Sequence, residues 1–177
     1  MDAETFVLAL LNTLPEKEIR GRKRLQKLVF ITKAIGAPVS AKFFLHDFGP
    51  FSAEIASATE MLTFVGEIDE SDVQLGATKK FVKVYKLNRD AEVHQHLSIG
   101  VSKALKDLQR YATVELEIAS TILYYHQEKG LPWPSAIEAT KELKPSKSVP
   151  QVVLKAKEAL AMVGLYEGRG TDQVPSP

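Results

Sequence analysis

Few residues of this 177-residue chain are suited to catalysis or metal binding, and none of them is a cysteine. Without cysteine the chain has no disulfide, no cysteine–zinc site and no thiol nucleophile. The histidines are His46, His94, His96 and His126. They do not show the HExxH spacing of a zinc site, and His46, Asp47 and Ser52 lack the Gly-x-Ser-x-Gly elbow that activates a serine. The sequence therefore predicts no enzymatic activity, no metal and no cofactor.

Positive charge is concentrated near the start of the second predicted helix. The cluster consists of Arg20, Arg22, Lys23, Arg24 and Lys27. Such side chains bind phosphates and release counterions from nucleic acid. They also oppose the positive end of the helix dipole, which favours pairing with acidic groups elsewhere in the chain. A phosphate-binding patch and an internally paired or solvated face both remain open.

The formal net charge of +1 conceals a strong division along the chain. Residues 51–76 carry a net charge of −6, and residues 77–90 carry +4. The basic residues of the second block are Lys79, Lys80, Lys83, Lys86 and Arg89. A basic hairpin suits phosphate contacts, and edge lysines equally well prevent aggregation of strands. The acidic block includes the third predicted helix, which lacks the Arg and Lys side chains that commonly read guanine.

Hydrophobic periodicity and helix-breaking residues divide the chain into elements. Helices are predicted over 4–14, 22–35, 53–64, 91–111, 112–127, 135–143 and 149–163. Residues 16–20 are predicted to form a charged loop, and residues 39–48 an extended segment that ends in a Gly49-Pro50 turn. A β-hairpin is predicted from 65–73 and 80–87, with its tip at 74–78. Asp2, Ser52 and Ser135 are expected to cap helices, and Ser146 or Ser148 the last one.

The order of these elements predicts a mainly α protein with a small β-hairpin. Helix, helix, short strand, helix and hairpin over residues 1–90 is the order of a winged-helix unit. Residues 91–170 are expected to form a helical bundle packed on it, and residues 171–177 a disordered tail. The winged-helix unit serves DNA binding, protein binding and purely structural roles, so the fold alone does not determine the function.

A second candidate for DNA contact lies in the last two predicted helices. Their arrangement is similar to a helix-turn-helix, and lysines surround it. The candidate nucleic-acid-binding residues of the whole chain are Arg20, Arg22, Lys23, Arg24, Lys27, Lys79, Lys80, Lys83, Lys144, Lys147 and Lys155. Electrostatically, the C-terminal pair is better suited to enter a DNA groove than the acidic third helix.

Two short motifs resemble a known family. Residues 25–30, Leu-Gln-Lys-Leu-Val-Phe, resemble the LQKLLY-like helix of the Panacea domain, and residues 47–52, Asp-Phe-Gly-Pro-Phe-Ser, resemble its aromatic–Gly-Pro signature. The resemblance covers about residues 5–90. It implies a mostly helical protein, and better-known members of the family neutralise toxins by direct binding. The partner-binding surface that it implies consists of His46, Asp47, Phe48, Gly49, Pro50, Phe51 and Ser52.

These observations favour a non-enzymatic regulatory interaction module, antitoxin-like, that acts by binding another protein. The alternative is a winged-helix transcriptional regulator that binds DNA. No apolar run is long enough to span a bilayer, and the acidic start of the chain is unlike a secretory signal. We therefore expect a cytoplasmic protein without membrane contact. A homodimer is compatible with the sequence.

Overall fold

The computed structural model describes residues 1–74, 76 and 79–167. Most of the predicted hairpin tip and the whole predicted tail, residues 171–177, lie outside the described residues. Within the described part the chain is mixed α/β and mainly helical, as predicted. The helices are α1 Ala3–Thr13, α2 Arg22–Ala34, α3 Ala53–Phe64, α4 Ile99–Leu108, α5 Thr113–Glu128, α6 Trp133–Leu143 and α7 Pro150–Met162. The strands are β1 Glu18–Arg20, β2 Phe44–His46, β3 Gly49–Phe51, β4 Ile68–Gln74 and β5 Phe81–Leu87.

The larger sheet is antiparallel, with strand order β1-β5-β4. Strands β4 and β5 form the predicted hairpin, in which Ile68 lies opposite Leu87. The charged loop predicted for residues 16–20 is wrong for its second half, because β1 pairs with β5 there. The central residue of β1, Ile19, lies opposite Tyr85 and is 2% exposed. A three-residue strand with one apolar side chain is too short to show alternation, so its pairing depends on the partner strand.

Side-chain caps begin the first and third helices as predicted. Asp2 accepts a hydrogen bond from the amide of Thr5 at 2.8 Å, and Ser52 Oγ accepts one from the amide of Ile55 at 3.3 Å. These bonds satisfy amide groups that have no partner within the first helical turn. Local chemistry was therefore sufficient to locate both helix starts.

The predicted start of α4 and the predicted capping residues of α6 and α7 are wrong. Residues 91–98 are not helical, and α4 begins after Ser98, whose Oγ accepts a hydrogen bond from the amide of Val101. Helix α6 begins before Ser135, because Pro134 is well suited to a first turn where no amide is needed. For the same reason Pro150 opens α7, with Val149 at the cap position instead of Ser146 or Ser148.

Helix α5 lies at the centre of the molecule. It packs against α2, α6, α7 and β3, and its buried face includes Leu116, Ile118, Ile122 and Leu123, all fully buried. Burial of each such side chain is worth about 1.5–3 kcal/mol relative to exposure. The buried hydrophobic residues form one cluster that extends from α1 to α7. Within the described residues, no helix combines the length and the apolar character that crossing a bilayer requires.

Candidate functional site

The site is built around a small β-hairpin, β2–β3. Phe44 lies opposite Phe51 and His46 lies opposite Gly49, so that Asp47 and Phe48 form the turn. The predicted Gly49-Pro50 turn is therefore wrong, because both residues belong to β3. Proline is tolerated here because each strand of a two-stranded ribbon is an edge strand. The predicted extended segment, 39–48, is a regular strand only at residues 44–46.

Gly49 brings the hairpin into close contact with α5. Its φ angle is +87°, and a Cβ added there would lie 2.8 Å from Thr121 Oγ1 and 3.5 Å from Lys27 Cε. Glycine is thus required twice, by the backbone conformation and by the space available. The aromatic side chains of the hairpin are held at a defined position relative to α2 and α5.

Replacing Gly49 with alanine is expected to lower the free energy of unfolding by about 2–5 kcal/mol. The positive φ costs about 1–2 kcal/mol, and the close contact with Thr121 adds about 1–3 kcal/mol of overpacking. The matched control is Gly36→Ala, since Gly36 has a φ of +96° but no heavy atom within 4 Å of the added Cβ. Urea unfolding of both variants separates the two costs, and equal losses would show that the hairpin can move away from α5.

Two polar side chains of α2 bind the backbone of β3 and of Ser52, the residue that follows it. Gln26 Nε2 donates to the carbonyl of Ser52 at 3.0 Å, and Gln26 Oε1 accepts from the amide of Ser52 at 2.9 Å. Lys27 Nζ donates to the carbonyl of Pro50 at 2.6 Å. Both side chains are buried, with Lys27 only 2% exposed. The two sequence motifs, residues 25–30 and 47–52, are therefore joined directly by hydrogen bonds.

A buried carboxylate holds two further lysines behind the same hairpin. Glu117 Oε1 lies 2.8 Å from Lys144 Nζ and 2.7 Å from Lys147 Nζ. Lys144 also donates to the carbonyl of Asp47 at 2.6 Å. Burial raises the pKa of Glu117, but the hydrogen bonds from Lys144 and Lys147 outweigh it, so that this pKa lies below its usual value. Glu117 therefore remains an anion at neutral pH.

Positive charge exceeds negative charge around this carboxylate. Lys23 Nζ lies 3.1 Å from the centroid of the Phe48 ring, and Lys147 Nζ lies 5.0 Å from it, both within cation–π range. Burial lowers the pKa of Lys27 to about 7, with neighbouring lysines acting in the same direction and Glu117 opposing them. Burial likewise lowers the pKa of Lys23.

A cavity of about 340 Å³ opens between α2, the β2–β3 hairpin and α3. Its apolar wall includes Leu25, Phe48 and Phe51, and its charged residues are Arg22, Lys23, Lys27 and Glu60. Pockets for small molecules begin at about 300 Å³ and combine apolar walls with a few polar groups. Within the part of the chain that the structure describes, no group of three or more His, Asp or Glu side chains is arranged to hold a metal ion.

The structure brings together two sets of residues that the sequence analysis kept apart. Hairpin residues 46–52 contact Lys23 and Lys27 from the basic cluster and Lys144 and Lys147 from the C-terminal half. His46 lies on the exposed face of the hairpin. Ser52 is fully buried, and its hydroxyl donates to Glu54 Oε2 at 2.8 Å while it caps α3.

Most of the other candidate nucleic-acid-binding residues are bound within the protein. Arg22 Nε donates to the Tyr85 hydroxyl at 2.9 Å, and Arg24 donates to the carbonyls of Gln109 and Tyr111. These candidate residues also form the ion pairs Arg20–Glu18, Arg22–Glu70, Lys83–Glu70, Lys83–Asp72 and Lys155–Glu158. Lys79 and Lys80 are exposed just before β5.

Sequence reasoning did not identify Gln26 or Glu117 as members of the site. A signal was present for Glu117, which lies between Leu116 and Ile118 in an apolar helical segment. Gln26 stands beside the basic residues Arg24 and Lys27, where a polar side chain carries no such signal. Charged residues are rarely buried unless they are paired, so Glu117 on the inner face of α5 predicts a buried cation nearby.

One comparison finds a related protein. Over 112 residues the chain is 32% identical to "Uncharacterized protein YwgA" of Bacillus subtilis (strain 168), a match that covers 61% of this chain and 66% of that protein. This chain is a distant homologue of YwgA. The match thus spans slightly less than two thirds of YwgA, whose name states no activity. No family model matches the chain, so its resemblance to the Panacea domain stays a prediction. No solved structure matches it.

Proposed function

We propose that this chain is a cytoplasmic, non-enzymatic regulatory module that binds another protein through the β2–β3 hairpin. The observation that carries the proposal is the exposure of aromatic side chains on a firmly held hairpin. Phe44 is 48% exposed and Phe48 is 40% exposed. The Phe44 and Phe51 rings pack edge to face with centroids 5.5 Å apart. Phenylalanine is among the aromatic residues that are enriched in the buried cores of protein interfaces.

The support behind the hairpin strengthens this proposal. Lys27 and Lys144 bond to backbone carbonyls of Pro50 and Asp47, and Gln26 bonds to Ser52. A surface held in one conformation before binding loses less entropy when its partner docks. A direct protein interaction is also what the resemblance to Panacea-domain antitoxins implies, in which case the partner is a toxin.

Phe44→Ser is expected to lower recovery of a co-purifying partner at least about tenfold, since loss of a central aromatic contact typically costs 2 kcal/mol or more. The assay compares the proteins retained by the tagged wild-type chain and by each variant, measured by quantitative mass spectrometry. The matched control is Ile99→Ser on α4, because Ile99 is 90% exposed and lies outside the hairpin. The proposal fails if every retained protein is recovered equally with the two folded variants.

We further propose that residues 1–90 form a winged-helix-like unit and that the described part of 91–170, which ends at residue 167, packs on it. The order of elements and the pairing of β1 with β5 support this assignment. DNA binding is the weaker function for such a unit here. Arg22, Arg24, Lys83 and Lys155 are engaged by the protein itself, so a phosphate would have to compete with these bonds.

A further inference from the structure

The cavity beside the hairpin has an electrostatic feature that protein binding does not require. Lys23 and Lys27 are four residues apart on α2, a spacing that places both on one face of the helix. Both lie in the cavity wall. Among the described residues, neither forms a salt bridge with a carboxylate, and the ammonium group of Lys23 lies 3.1 Å from the centroid of the Phe48 ring.

Lys27 has unused hydrogen-bonding capacity at this position. An ammonium group has three protons to donate, and Lys27 donates one of them, to the carbonyl of Pro50. Its side chain is almost fully withdrawn from water, which makes an unpaired charge costly. Glu117 cannot balance the excess, because it already binds the ammonium groups of Lys144 and Lys147. An anion in the cavity would supply the missing acceptors.

The remaining walls define the rest of the ligand. Phe48 and Phe51 provide aromatic surface, and Leu25 and Ala56 add aliphatic surface. Glu60 is the one acidic residue among the cavity-lining residues, against Arg22, Lys23 and Lys27. A cavity of about 340 Å³ holds a molecule of one or two rings. A flat apolar body that carries a single anionic group fits both the shape and the charge.

We propose that this cavity binds a small organic anion. A carboxylate or phosphate group lies against Lys23 and Lys27, and an aromatic or otherwise flat apolar body packs against Phe48 and Phe51. The cavity shares Phe48 and Phe51 with the hairpin surface proposed for protein binding, but its ligand and the test below do not depend on the identity of any protein partner.

The test uses the full-length, isotope-labelled chain and four probes with one aromatic ring: benzoate, phenyl phosphate, benzamide and benzylamine. Benzoate or phenyl phosphate should cause saturable amide shifts in residues 46–51 and 56–60, in NMR titrations at neutral pH and low salt. Neutral benzamide and cationic benzylamine should bind at least about tenfold more weakly, a difference of about 1.4 kcal/mol. The two anions together establish whether carboxylate or phosphate is preferred.

Variants locate the anion within the cavity. Lys23→Gln and Lys27→Met should each weaken binding of the better anion at least about tenfold, and Lys103→Gln on the exposed side of α4 should leave it unchanged. Lys23→Gln is the safer variant because Lys23 makes no hydrogen bond to the hairpin backbone among the described residues. The proposal is overturned if neither anion produces saturable shifts, if benzamide binds as well as benzoate, or if Lys23→Gln binds like the wild type.

Discussion

Replacing Glu117 with leucine is expected to lower the free energy of unfolding by about 3–5 kcal/mol, the usual cost of leaving one member of a buried ion pair without its partner. The Lys144 side chain is 4% exposed and cannot carry its charge into water without local rearrangement. The Lys147 side chain is 34% exposed and can do so more easily. Urea unfolding at neutral pH measures the loss.

Two further variants identify the source of this loss. Glu117→Leu combined with Lys144→Met should recover most of the stability, since a buried ion pair can often be replaced by apolar residues at little cost. Glu138→Leu on α6 removes an ion pair with Lys141 in which both side chains are exposed, and should cost less than about 1 kcal/mol. If Glu117→Leu lowers the free energy of unfolding no more than Glu138→Leu does, the ion pairs of Glu117 with Lys144 and Lys147 do not hold the hairpin in place.

The lowered pKa of Glu117 also sets the direction of a pH effect. A carboxyl group whose folded pKa lies below its unfolded value of 4.5 stabilises the protein above that value. This stabilisation is lost as the pH falls through the folded pKa. Acid unfolding of the wild type should therefore include a contribution that the Glu117→Leu/Lys144→Met variant lacks.

Replacing Lys27 with methionine is expected to stabilise the protein by about 2 kcal/mol near pH 6, and to lose this advantage as the pH rises towards about 9. The pKa of Lys27 falls from 10.5 to about 7 on folding, chiefly through burial. Between these values the unfolded chain binds more protons than the folded chain, so the stability of the wild type rises with pH. Over the whole range between these two pKa values, the free energy of unfolding of the wild type changes by an amount on the order of 5 kcal/mol.

Part of the stability gained by removing the buried charge is offset, because methionine cannot donate a hydrogen bond to the carbonyl of Pro50. Leaving that carbonyl without its donor costs about 1–3 kcal/mol. Above the pH range in which Lys27 loses its proton, the neutral amine keeps that hydrogen bond, and the wild type becomes the more stable protein. Lys103→Met on the exposed side of α4 is the control. Urea unfolding at several pH values gives the difference between variants, and a difference that does not vary with pH would contradict burial of a charged Lys27.

Local chemistry made several features readable from the sequence alone. Asp2 and Ser52 cap their helices because a short polar side chain satisfies nearby amides, whatever the rest of the protein does. The β4–β5 hairpin follows from the density of β-forming residues at 81–87 and from Gly76 in the predicted tip. Elements with little internal signal were missed, such as β1, whose pairing depends on a strand more than sixty residues away. The start of α4 was misplaced because Val93 and Leu97 mimic helical spacing.

Only the tertiary structure decided what the charged residues do. The sequence determined the number and order of the lysines, and it left open whether they meet a nucleic acid or the protein itself. Folding brings Lys27, Lys144 and Lys147 together around Glu117 and the β2–β3 hairpin. The partner of a charge is set by distance through space and by exclusion of water, and neither quantity is encoded in the spacing of residues along the chain.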